Sequence, residues 1–116
     1  MSIYYYYYYY LYIYIYICKV KERLREGEEL CCNTQEYLFF AVGTTFGNVH
    51  VFTLEGLYIA TLECHDTVAT CVNFSGEDAI IVGRNTGEII CWTWRTDTKR
   101  ILHVSGTIFK ICWYSV

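Results

Sequence analysis

The chain repeats itself, and the length of the repeat limits what it can fold into. Shifted by forty residues, the segment 28–116 aligns with itself without a gap. Cys31-Cys32-Asn33 falls on Cys71-Val72-Asn73, Val42-Gly43 on Val82-Gly83, and Gly47 on Gly87. Val49 falls on Ile89, Val51 on Cys91, Phe52 on Trp92 and Leu62 on Leu102. Thr67-Val68 then falls on Thr107-Ile108, Cys71 on Ile111, and Phe74-Ser75 on Tyr114-Ser115. A period of about 40 residues in a strand-rich chain is that of a four-stranded propeller blade, a unit that hides its apolar faces by stacking on copies of itself.

Four strand types recur in each unit. The first covers Glu29–Asn33, Val68–Phe74 and Thr107–Tyr114. The second covers Leu38–Val42 and Ala79–Val82, the third Asn48–Leu54 and Glu88–Trp94, the fourth Tyr58–Leu62 and Arg100–Val104. Each is short, rich in β-branched and aromatic residues, and bounded by turn residues. Gly43 to Gly47 and Gly83 to Gly87 read as turns in which glycine takes positive φ, and Ser75-Gly76-Glu77-Asp78 as another tight turn. In the third strand Ile90, Trp92 and Trp94 share one face; Ile89, Cys91 and Thr93 share the other. His50, Phe52 and Leu54 match the first set. Apolar residues on both faces predict a strand covered on both sides, as between stacked blades.

His65-Asp66-Thr67-Val68, Val72-Asn73-Phe74-Ser75, Ile80-Ile81-Val82-Gly83 and Gly87-Glu88-Ile89-Ile90-Cys91-Trp92 together resemble one WD40 repeat. The resemblance spans two repeats, 28–67 and 68–106, and the first strand of a third, 107–116. It implies a fold class that is all-β: a partial β-propeller of two four-stranded antiparallel blades plus that strand. Its signature positions here are Gly43, Gly47, Phe52, His65, Gly83, Gly87 and Trp92, and it implies that His65 bonds within its blade. Cys64 stands where the family has Gly, Thr86 where it has the turn Asp, and Thr93 where Asp follows the signature Trp. The family's buried Ser/His/Asp/Trp network is therefore incomplete in this chain. The stretch from Leu38 to Phe52 is similar to the opening blades of some vesicle-tethering and trafficking subunits, which implies a place in vesicle traffic.

Composition belongs to separate segments. Ten of the 13 tyrosines lie between Tyr4 and Tyr16. The tail 1–18 falls short of the ~20 apolar residues that cross a bilayer, and it lacks the basic start and small-residue cleavage site of a secretory signal. Its Tyr-Tyr-Tyr and Tyr-Ile-Tyr-Ile patterns correspond to TAT and alternating TA codons. That suggests translated microsatellite or intron joined near Cys18 or Lys19, and hence the alternative of a non-functional product of a mispredicted gene. A second alternative is a membrane-anchored protein that uses residues 3–18. The segment 19–27, with mixed charges and only Val20 and Leu24 apolar, reads as a solvated helix or linker that ends at Gly27.

With 9 Lys+Arg against 12 Asp+Glu and a net charge of −3, there is no basic excess for nucleic acid. The seven cysteines are odd in number and contain no C-x-x-C, which suits reduced thiols acting as small hydrophobes in the cytoplasm. Cys64, His65 and His103 lack the spacing of a zinc site. His50, His65 and His103 accompany no nucleophile elbow, and Gly43-Thr44-Thr45-Phe46-Gly47 lacks the Lys-Ser/Thr ending of a phosphate loop.

The expectation is a non-catalytic protein-interaction scaffold without cofactor or metal, a fragment of a larger propeller protein. Its partners would be other proteins, together with the remaining blades of a larger propeller or further copies of the chain; neither nucleic acid nor a membrane is expected. Trp94 with Arg95, beside the loop Arg95-Thr96-Asp97-Thr98, and Arg84 with Asn85, at a turn tip, are the candidate partner-binding residues, because Trp and Arg favour interface anchors. Two blades alone should be marginally stable.

Overall fold

The computed structural model describes residues 15–63 and 67–106, with side chains from residue 18 onward. The tail up to residue 14, the predicted hydrogen bonding of His65, and the strand expected at 107–116 lie outside the described residues.

Among the described residues, eight antiparallel strands form two four-stranded sheets. The first blade contains β1 (Leu30–Glu36), β2 (Phe39–Thr44), β3 (Val49–Thr53) and β4 (Tyr58–Leu62) in that spatial order. The second contains β5 (Ala69–Gly76), β6 (Ala79–Arg84), β7 (Glu88–Thr93) and β8 (Thr98–His103). The architecture is all-β, the arrangement of a partial propeller. Its central hairpins repeat pair for pair: Gly43 opposes Val49 and Phe40 opposes Phe52, as Gly83 opposes Ile89 and Ile80 opposes Trp92.

The inner strands depart from the forty-residue shift. Cys32 opposes Gly43, but Cys71, not Val72, opposes Gly83. The difference is one residue, and a register irregularity between Phe74 and Gly76 accounts for it. A bulge accommodates an extra residue without disturbing the strands beyond it. It restores the parity that matters: Val72 and Phe74 are buried against blade 1, whereas Asn33 and Gln35, one blade earlier, are exposed.

One main core lies between the sheets. Ala41, Val49, Val51 and Leu62 of blade 1 meet Val72, Phe74, Ile80, Val82, Ile90 and Trp92 of blade 2. Phe39 and Trp94 stand at its rim with ring centroids 5.4 Å apart and edge-on. The sheets approach most closely where β1 and β2 meet β5. There the Cys32 thiol donates to the Ala69 carbonyl at 3.3 Å.

A smaller core on the far face of blade 1 joins Phe40, Val42 and Phe52 to Val20. The connector read as solvated is thus docked through Val20, which is fully buried. A short π-helical turn (Ile15–Val20) and a 3-10 turn (Lys21–Arg23) carry it across the sheet. Arg23 lies 3.4 Å above the Tyr58 ring, a cation–π contact. The chain then reverses at Gly27, whose φ of +83° strains any other L-residue.

The glycines divide between two roles. Gly47 and Gly87 have positive φ, as turns require, but Gly43 and Gly83 do not and sit inside strands. At Gly43 the requirement is space: a Cβ would lie 2.5 Å from Cys32 Sγ and 2.9 Å from Ala69 Cβ. Gly43→Ala should therefore cost about 1–3 kcal/mol by overpacking the contact between blades. Gly76→Ala, where nothing lies within 4 Å, should stay within about 0.5 kcal/mol. Urea unfolding of both variants checks the pair.

Candidate functional site

Antiparallel hairpins place the connecting turns at two opposite ends of the blades. The β2–β3 and β6–β7 turns share one end; the β1–β2, β3–β4, β5–β6 and β7–β8 turns share the other. The two predicted contact pairs are consequently not brought together. Arg84 and Asn85 lie at the first end, Trp94 and Arg95 at the second, separated by the length of β7, roughly 20 Å at ~3.4 Å per residue.

The first end is built around polar groups with internal partners. Glu28 is buried beside the β2–β3 turn. Its carboxylate accepts hydrogen bonds from Thr44 Oγ1 at 2.5 Å, Asn48 Nδ2 at 3.0 Å and the Arg25 backbone N–H at 2.9 Å. Burial pushes its pKa up, but these bonds and the nearby His50 outweigh it and hold the carboxyl below its ordinary value. In blade 2 the residues forty positions after Thr44 and Asn48 are Arg84 and Glu88, and they form an ion pair at 2.5 Å. Arg84 does not reach out from a turn tip: it closes β6 with 7 % exposure. Asn85, the next residue, is exposed. Gly87 has φ +88°, and a Cβ on it would collide with the Val104 and Gly106 carbonyl oxygens.

His50 extends this polar group into the sheet. It is 4 % exposed, and its Nδ1 lies 2.8 Å from Thr61 Oγ1, which also bonds the Tyr58 hydroxyl at 2.7 Å. Its buried Nε2 has no hydrogen-bond partner among the described residues. Burial, the largest influence, lowers the His50 pKa; Glu28 and Glu63 oppose this while Arg23 adds to it.

The second end is more open and more apolar. Leu38 is 73 % exposed, Leu57 62 % and Tyr37 50 %. The β1–β2 turn is held rigidly by the Leu54 N–H, which donates to the Leu38 carbonyl at 3.1 Å, and Tyr37 takes a positive φ of 58°. A shallow cleft of about 200 Å³ opens beside it, lined by Glu36, Tyr37, Phe74 and Ser75. Arg95 is exposed at this end. Trp94 is half-buried, packed against Phe39, Phe74 and Trp92. Trp92 Nε1 donates to Asp97 Oδ1 at 2.8 Å, a bond that ties β7 to the β7–β8 turn. Asp97 holds that turn in the left-handed region at φ 50°. Sequence reasoning missed Tyr37, Leu38 and Leu57; the available signal was two leucines and a tyrosine set in turns, where polar residues are usual.

The cysteines differ in setting. Cys31 is exposed, and Cys32, Cys71 and Cys91 are half-buried. Burial, reinforced by the neighbouring Cys31, pushes the Cys32 thiol up to about 12. No group of three or more His, Cys, Asp or Glu residues assembles a metal site among the described residues. No described helix is long and apolar enough to cross a membrane. No protein-family model matches this chain, and no curated protein is similar to it.

Acid should destabilise the molecule over two pH ranges. Because folding lowers the His50 pKa, the unfolded chain takes up that proton first, and stability falls as pH drops below about 6.5. Because folding also lowers the Glu28 pKa, a second loss sets in below about 4.5. Each proton changes stability by at most about 1.4 kcal/mol per pH unit. Urea midpoints measured from pH 8 to 4 should decline in this way, and His50→Gln should flatten the upper stage and also lessen the lower one, because His50 helps hold the Glu28 carboxyl down.

Proposed function

We propose that the chain is a non-catalytic, WD40-like scaffold that presents one end of its stacked blades to partner proteins. Tyr37, Leu38, Leu57 and Arg95 form the contact surface, with Trp94 as its rigid floor. The observation that carries this reading is the placing of large apolar side chains on tight, hydrogen-bonded turns at one end of a packed pair of sheets. Side chains on fixed turns lose little freedom on binding, which favours recognition. Arg84, whose guanidinium serves Glu88, is assigned to the internal structure of the opposite end.

Cross-linking of the full chain in cell extract, read by mass spectrometry, tests the assignment. A partner whose cross-links disappear in Leu38→Asp/Leu57→Asp but persist in Asn85→Ala, with unchanged melting of both variants, is the expected outcome. Loss of the partner in Asn85→Ala alone would move the surface to the other end.

A further inference from the structure

We infer that copies of this chain associate head to tail along their outer sheet edges, β8 of one copy running antiparallel to β4 of the next. Among the described residues, β4 borders only β3 and β8 borders only β7, so each leaves a row of backbone donors and acceptors for a further strand. All six residues of β8 are exposed. Ile101 is 52 % exposed and Leu102 57 %; on the other edge Tyr58 is 41 % and Ile59 37 %. The chain contains no proline, so none interrupts a new ladder.

Charge selects which edges meet. Exposed Lys99 and Arg100 open β8, while exposed Glu55 and Glu63 flank β4. None of the four forms an ion pair among the described residues. Cations on an edge oppose pairing with a like edge. Two β8 strands paired antiparallel about their centres would crowd four cations together. Two β4 strands paired antiparallel about their centre, Ala60, would set Glu55 of one strand diagonally across from Glu63 of the other at each end. Pairing β8 with β4 instead brings the basic start of one strand to the acidic end of the other, and cross-strand opposite charges stabilise a sheet.

Stacking of whole faces is obstructed on blade 1. Val20 and Arg23 already cover the outer part of its free face, and exposed Asn33 and Gln35 make the β1 part polar. The edges remain. A β8–β4 contact is heterologous, so each added copy leaves one β4 and one β8 open, and the assembly grows unless it closes into a ring.

Sedimentation velocity on the full chain tests this. The wild type should show a sedimentation coefficient that rises with concentration and a weaker association at high salt. Lys99→Glu/Arg100→Glu should weaken self-association at least tenfold, and so should Glu55→Lys/Glu63→Lys, with far-UV circular dichroism unchanged. The two variants mixed in equal amounts should associate again, since each then offers edges of opposite charge to the other. A wild type that stays monomeric over the whole range overturns the inference. So do variants that associate like the wild type, or a mixture that stays monomeric.

Discussion

Everything in this fold depends on how closely two sheets can approach at one point. Gly43 removes a side chain where Cys32 and Ala69 come together, and the Cys32 thiol reaches the Ala69 carbonyl. That proximity brings Ala41, Val49 and Val51 onto Ile80, Val82 and Trp92. A four-stranded sheet with two apolar faces has no stable existence in water alone, and each fully buried aromatic or aliphatic side chain contributes about 1.5–3 kcal/mol once covered. The second sheet is thus the condition for the first.

The same logic explains the segment before β1. The free face of blade 1 carries Phe40, Val42 and Phe52, the counterparts of Ile80, Val82 and Trp92 that pack against blade 1 from the other sheet. Val20 supplies the cover that a neighbouring blade supplies elsewhere. Arg23 on Tyr58 and the buried Glu28 carboxylate fix its course. Charged residues around a single docked valine read as a linker because the sequence pattern holds no period to mark the contact. Blade 2's far face has half-buried Ile89 and Cys91, with Leu102 still exposed.

Much of the fold was legible from residues alone, for physical reasons. The forty-residue period fixed the strand order, and glycines with positive φ at 47 and 87 fixed the turns of the central hairpins, so β2–β3 and β6–β7 match residue for residue. What escaped was whatever depends on a single residue's geometry. A bulge near Ser75 displaces β5 by one position and makes Cys71, not Val72, the counterpart of Cys32. Arg84 reads as a turn tip, yet Glu88 four residues on draws it into an ion pair and the sheet buries it. Trp94 serves the core as much as the surface because Phe39 and Phe74 flank it. The bond from Trp92 to Asp97 is legible only in space, since the turn folds the carboxylate back onto the indole.

Native-state hydrogen exchange, resolved by residue, measures the dependence of one blade on the other. If mutual burial holds the sheets, the amides of β2, β3, β6 and β7 open together, with a single free energy and a common denaturant dependence. Separate opening energies for the hairpin of β2 and β3 and that of β6 and β7 would show that each sheet stands by itself, and would contradict the account.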